Sequence, residues 1–402
     1  MHPTYQGMVY ARMKAGSTLA ILMAILMAIL IMRAVPAGAR TDQEDPLVFD
    51  LKIDSEILHE SRTISVSLPD DYYLTSYTYP VLYLLDGRSH FRHATSAVDF
   101  LSREGIIPEM IVVSIHNVDR SRDFLPIHDE TIPTSGGADR FLKFFEKELS
   151  GLIRERTRAS EYTVLMGHSA GGTFAAHALN TRPALFDAFI LVSPYLQFMD
   201  NYVVKEAADK IKPCSKGKSM YLSVGNEPDY FDPIDAYVRT LKTRAEGTVD
   251  YKYEKMMSEI HGSISYLSVY KGLKHIFGDW HLSGFAFQQG LEAIDAHFRK
   301  VSAKYDSSVE PPEALINQLG YYYLRNGDVQ RAIEVFRENT KRYPASANVY
   351  DSLGEAYERN GQLVPAQENY SRACELAKTS GEEYYSIFKQ HLDRVEGETP
   401  NK

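Results

Sequence analysis

The chain has 402 residues, 44% of them hydrophobic and 24% charged, the make-up of a folded globular protein with room for a large core and a second unit. A formal net charge of −9 leaves no basic face for a nucleic acid backbone. The two cysteines, Cys214 and Cys374, read as free thiols in different domains, and no H-E-x-x-H, P-loop or dinucleotide glycine pattern occurs, so no metal or organic cofactor is expected.

At the N-terminus, Arg12 and Lys14 precede an unbroken apolar run from Leu19 to Met32, and the small residues Ala34 to Ala39 follow it. Basic, then apolar, then small is the layout of a secretory signal peptide, and 14 residues is short for a spanning helix. Residues 1–39 are expected to direct export, periplasmic or secreted, and to stand outside the fold. Arg33 after the run leaves an uncleaved membrane anchor as the alternative.

From Leu47 to Arg299 short apolar runs alternate with amphipathic ones. Arg62 to Leu68 alternates polar and apolar with period two, which predicts a half-exposed edge strand. Pro80–Leu85 and Met110–Ile115 are continuous runs of the kind buried on both faces, followed by Tyr162–Met166, Ala188–Val192, Met220–Val224 and Tyr251–Lys255. Between them the clearest helical pattern is Gly137 to Thr157. This rhythm predicts a mostly parallel α/β sheet over residues 40–300, with ligands beyond the carboxyl ends of the strands.

Gly167-His168-Ser169-Ala170-Gly171, with Gly172 after it, stands between one such strand and a small-residue helix. In that context G-x-S-x-G marks a sharp turn that lifts a nucleophilic serine, here Ser169, above the sheet; a capping serine is the bland alternative. A serine hydroxyl needs a histidine to take its proton and a carboxylate to orient that histidine. Both follow in order. The strand ending at Val224 leads to Gly225-Asn226-Glu227-Pro228-Asp229, and the next leads to His261. Glu227 is the first candidate for the acid and Asp229 the second; Glu259 reads as a solvated or structural carboxylate. The amide of Ala170, after the serine, and that of Arg88, in the Asp86-Gly87 turn after an earlier strand, are candidate oxyanion donors.

"SRTISVSLPDDY", "YPVLYLLDG", "IVVSIHNVDRSRDFLP", "GHSAGG", "FDAFILVSP", "VGNEPD" and "HGSISY" occur in this order. Together they resemble the esterase family of α/β-hydrolases that includes siderophore esterases, feruloyl esterases and S-formylglutathione hydrolases, over about residues 45–285. The resemblance implies Ser169 as nucleophile, His261 as base, and Arg88 and Ala170 as oxyanion-hole amides. It also favours Glu227, while Asp229 stays open because some members use aspartate. Arg120, Arg122 and Asp123 match a family loop beside the site, where they either brace the loop or touch substrate.

After a proline-containing linker at 301–312, Ala314–Pro344 and Asn348–Lys378 superimpose at an offset of 34. Leu319-Gly320 recurs as Leu353-Gly354, Tyr323 as Tyr357, Ala332 as Ala366 and Phe336 as Tyr370. Period and pattern resemble tetratricopeptide repeats, so residues 313–395 are expected to form a small all-α domain closed by a capping helix, either stabilising the hydrolase or binding a protein or peptide. The expected whole is an exported serine esterase acting on a small-molecule ester. An acyltransferase, a peptidase of the same fold and a non-catalytic scaffold are the alternatives.

Overall fold

The computed structural model describes residues 46–398 except 71, 75–76, 212–216, 246, 248, 306–308 and 381–383; the expected export segment and Cys214 lie outside the described residues. Two compact units result, one of residues 46–286 and 295–310, the other of residues 287–294 and those from 311 on.

The first unit is built on one sheet of eight strands: β1 (Val48–Ser55), β2 (Glu60–Ser67), β3 (Tyr79–Leu84), β4 (Ile111–Ile115), β5 (Ala159–His168), β6 (Ala188–Val192), β7 (Lys218–Val224) and β8 (Val249–Lys255). Their spatial order is β1-β2-β4-β3-β5-β6-β7-β8. The pairs β1/β2 and β2/β4 are antiparallel and all others parallel. The central strands are buried on both faces because both faces are covered. β3 sends Val81 and Tyr83 into one core and Leu82 and Leu84 into the other. Each such side chain contributes roughly 1.5–3 kcal/mol by leaving water.

The helices of this unit are α1 (Gly87–Arg103), α2 (Arg120–Phe124), α3 (Ala138–Phe144), α4 (Ser150–Arg156), α5 (Ala170–Thr181), α6 (Phe198–Lys210), α7 (Pro228–Arg244) and α8 (Ile264–Ile276). Ala94, Val98 and Leu101 of α1 and Val269 and Leu273 of α8 fill one core. Phe141 and Phe144 of α3, Phe174 of α5 and Ile234 and Tyr237 of α7 fill the other. Buried His177 of α5 ties three helices of that second layer, with Nδ1 2.8 Å from Glu206 of α6 and Nε2 3.2 Å from Asp139 of α3.

Two sequence expectations need correction. β2 is not an edge strand. β1, an exposed alternating strand, covers its outer side, and Ile64 and Val66 are fully buried. Arg62, equally buried, is compensated by Glu60 at 2.8 Å and by Asp123, and the same two carboxylates hold Arg122 at 2.7–2.8 Å. The stretch Gly137–Thr157 is not one α-helix either. A π-helical turn, Phe145–Leu149, separates α3 from α4 and carries Glu148, which accepts from Ser55 Oγ (2.5 Å) and Ile57 N (3.0 Å). Glu148 of this wider turn thereby holds the β1–β2 connection, a feature that apolar periodicity does not reveal.

Continuing the helix count, α9 is Gly284–Gln288 and α10 is Leu291–Tyr305. The second unit is all-helical: α11 (Glu313–Arg325), α12 (Val329–Arg342), α13 (Ala347–Arg359), α14 (Leu363–Ser380) and α15 (Tyr385–Glu398). The second helix pair starts 34 residues after the first at both helices, which fits a tetratricopeptide-like domain. Small residues set the approach of paired helices. A Cβ on Gly320 would stand 2.4 Å from the Phe336 ring, and one on Gly354 2.7 Å from Tyr370.

Candidate active site

Ser169 ends the β5–α5 turn with φ 58° and ψ −120°, and its side chain caps nothing in the helix that follows. A non-glycine residue there costs on the order of 1–3 kcal/mol and persists only where its surroundings over-determine it. They do. Ser169 N donates to Val192 O (2.9 Å), while Ser169 O accepts from Thr173 N (3.0 Å) and Tyr195 N (3.1 Å). The turn also needs its glycines. A Cβ on Gly167 would meet Gly171 O at 2.1 Å, and one on Gly172 would meet the Pro194 Cα at 2.9 Å. The turn therefore presents the hydroxyl at the carboxyl edge of the sheet.

Glu227 immediately precedes α7, and His261 lies in the loop after β8. Glu227 Oε1 is 2.5 Å from His261 Nδ1, and Glu227 Oε2 accepts from Ser193 Oγ (2.5 Å) and Gly225 N (3.2 Å). The loops are stitched together by Asn226 N donating to Glu259 O at 2.8 Å. Asp229 is exposed in the first turn of α7, so of the two acid candidates Glu227 meets the histidine. Glu259 accepts instead from Ser263 Oγ at 2.7 Å.

The two candidate oxyanion amides belong to first helical turns, Arg88 as the second residue of α1 and Ala170 as the first of α5. Amides there have no carbonyl partner within the helix and stand at its positive end. Asp86, left-handed at φ 52°, opens α1 with a nearly buried carboxylate. Arg120 grips it at 2.7 and 2.9 Å, Asn117 Nδ2 donates at 2.5 Å, and Arg120 also donates to His168 O at 3.2 Å. Arg120 thus braces the turns that carry both amides, while Arg122 and Asp123 are held in the ion network with Glu60 and Arg62.

Three neighbours were given no role by the sequence, although Ser193 and His168 lie within quoted motifs and Tyr230 follows one directly. Ser193, buried after β6, fixes the second carboxylate oxygen of Glu227. His168 packs its ring 4.5 Å from that of His261 and 5.5 Å from His90, which in turn meets His93 at 5.1 Å. Burial, then the neighbouring imidazole His261, pushes His168 down to about 3; burial and His93 push His90 down to about 4. Both rings are neutral at ordinary pH. The third neighbour is Tyr230 of α7, whose ring centroid is 5.5 Å from that of His261 and whose phenol lies beside the Ser169 side chain. Burial and the charge of Glu227 raise its pKa, and the Ser169 hydroxyl opposes that rise. Among the described residues no group of three or more His, Cys, Asp or Glu is arranged to hold a metal ion.

Fold and geometry define a class, an α/β-hydrolase with Ser169 at the β5–α5 turn and a Glu227–His261 pair in the loops after β7 and β8. The family model described as "Putative esterase" matches residues 55–283, over half of the sequence, and the chain belongs to that family. It is similar to the siderophore triacetylfusarinine C esterase of Aspergillus fumigatus, 30% identical over 51% of this chain and 84% of the other. Ferri-bacillibactin esterase BesA of Bacillus subtilis is 32% identical over 32% of this chain, which spans about half (52%) of BesA. Among solved structures, an IroE-like serine hydrolase from Shewanella oneidensis matches 74% of this chain and 99% of its own, with TM-score 0.63 and 28% identity. The family and these relatives make the protein a carboxylic ester hydrolase.

Proposed function

We propose that the protein is an exported serine esterase that hydrolyses siderophore-type carboxylic esters through an acyl-enzyme on Ser169. The observation that carries this reading is the 2.5 Å contact of Glu227 with His261 Nδ1 beside a serine held at φ 58°. With Nδ1 bound to the carboxylate, Nε2 is left to take the Ser169 proton as Oγ attacks the ester carbon. The Arg88 and Ala170 amides receive the oxyanion, and the imidazolium, stabilised by Glu227, returns the proton to the leaving alcohol. Water then enters, activated by the same histidine, and releases the acid. Export is supported by the signal-type order of residues 1–39, and the substrate class by the two relatives, both siderophore esterases.

The test is a panel of short-chain acyl esters, feruloyl esters and ferric catecholate siderophores, offered to protein lacking residues 1–39 and to its Ser169→Ala variant. Siderophore esters should be turned over fastest, and the variant should lose several orders of magnitude while keeping its fold. Activity surviving in the variant would refute the acyl-enzyme, and preference for feruloyl esters would refute the substrate class.

A further inference from the structure

Sheet order gives the nucleophile two sides. β3 lies on one side of β5, and β6, β7 and β8 lie on the other. The candidate oxyanion amides come from the turns after β3 and β5, while Glu227 and His261 come from the loops after β7 and β8. An ester carbonyl attacked by Ser169 Oγ therefore turns its oxygen toward the β3 side. Its leaving oxygen must face His261, which returns the proton.

Tyr230 is on this second side. Glu227 immediately precedes α7, Tyr230 is the helix's third residue, and Tyr230 N donates to Glu227 O at 2.9 Å. One turn of backbone thus fixes carboxylate and phenol together. The ring stands 5.5 Å from His261 and 6.2 Å from Tyr195, with the phenol beside the Ser169 side chain.

We propose that Tyr230 is a further catalytic residue, whose phenol donates a hydrogen bond to the oxygen of the leaving alcohol as its bond to the acyl carbon breaks. The proposal rests on the reading of Ser169 as nucleophile. The phenol lies beside the Ser169 side chain, and once Oγ is bonded to the acyl carbon the ester oxygen stands on that same carbon, on the His261 side where Tyr230 packs. The electron pair of the breaking C–O bond goes to the leaving oxygen, and the proton that neutralises it is the one His261 took from Ser169. Tyr230 keeps its own proton throughout. Its raised pKa, set by burial and by Glu227, keeps it a donor through the neutral and mildly alkaline range.

The experiment compares Tyr230→Phe with wild type on two esters of one acid, a 4-nitrophenyl ester and an ethyl ester, reading kcat/KM. Phenylalanine keeps the ring and its packing. On the ethyl ester the expected loss is on the order of a hundredfold, that of removing one aimed donor. On the 4-nitrophenyl ester, whose leaving group needs little help, the expected loss is below about threefold. Equal losses on the two esters, or no loss on either, would overturn the proposal. Ser169→Ala separates the two layers of the argument. If it is silent while Tyr230→Phe is unaltered, only the tyrosine is misassigned; if it still hydrolyses both esters, the nucleophile and this proposal fall together.

Discussion

Replacing Glu227 by glutamine tests the site through a single atom. In the native site Oε2 accepts from Ser193 Oγ at 2.5 Å and from Gly225 N at 3.2 Å, and Oε1 meets His261 Nδ1 at 2.5 Å. The Ser193 hydroxyl can turn to donate or accept, but the Gly225 amide can only donate. The new side-chain amide must therefore aim its oxygen at Gly225 and its NH2 at His261. Nδ1 then has to accept, which moves the ring proton to Nε2, and the nitrogen that should receive the Ser169 proton is already occupied. A wrong tautomer in otherwise intact geometry costs on the order of 10⁴ in kcat, or about 5.5 kcal/mol of barrier at ~1.36 kcal/mol per tenfold. Size and the contacts to Ser193 and Gly225 are kept, so the unfolding midpoint should barely move. Asp229→Asn, exposed on α7, should change kcat by less than about threefold. The assay is steady-state ester hydrolysis by both variants with their melting curves. A Glu227→Gln enzyme within tenfold of wild type, or a larger loss in Asp229→Asn, would refute the reasoning.

Three further outcomes are expected. Gly167→Ala should abolish turnover and lower the yield of folded protein, because its Cβ would stand 2.1 Å from a backbone oxygen that cannot yield; a folded, active variant in a circular dichroism and activity comparison would contradict this. Burial opposes charge on His177, but its hydrogen bonds to Asp139 and Glu206 outweigh it and raise the pKa above 6.5, while Glu206, buried yet bonded to His177, is lowered below 4.5. The imidazolium contribution is complete below pH 6.5 and fades as pH rises through the raised value, and the Glu206 contribution is complete above pH 4.5 and fades as pH falls through the lowered one. His177→Gln should therefore cost most, about 3 kcal/mol by urea unfolding, between roughly pH 4.5 and 6.5; a difference constant to pH 9 would count against it. Finally, ending the chain at Glu310 leaves every candidate catalytic residue in place, so the folded remainder should hydrolyse a small ester within about tenfold of full length. Its melting temperature should fall, since residues 287–294 cluster with the removed helices; loss of activity in a folded, monodisperse truncation would reject a two-domain division of labour.

The central strands and the strand–turn–helix around Ser169 were legible because burial on both faces leaves continuous apolar runs, and because a turn this tight tolerates only glycine at Gly167 and Gly172. The 34-residue offset was legible for the same kind of reason, since Gly320 and Gly354 each face an aromatic ring that leaves no room for a Cβ. β1 was not, for none of its residues before Ser55 is buried and it lacks the continuous apolar run that marked the central strands; with β1 unseen, β2 looked like an edge. Choosing between Glu227 and Asp229 needed three dimensions, because the two share one loop and only the end of α7 decides which carboxylate faces His261. Ser193, His168 and Tyr230 act through contacts that no spacing encodes, made across strands and helices far apart in the chain.

The grip of Arg120 on Asp86 bears on how the enzyme meets brine. Mobile ions weaken exposed pairs within a Debye length of about 10 Å at 0.1 M, and have far less purchase on a charge withdrawn from water. The Asp86 side chain is only 9% exposed against 39% for Arg120, and the pair is bidentate and seconded by Asn117. Sodium chloride should find the guanidinium but not the carboxylate. The scaffold under the candidate oxyanion amides is anchored on the shielded side of the pair. Turnover of an uncharged ester should accordingly change little as sodium chloride is raised.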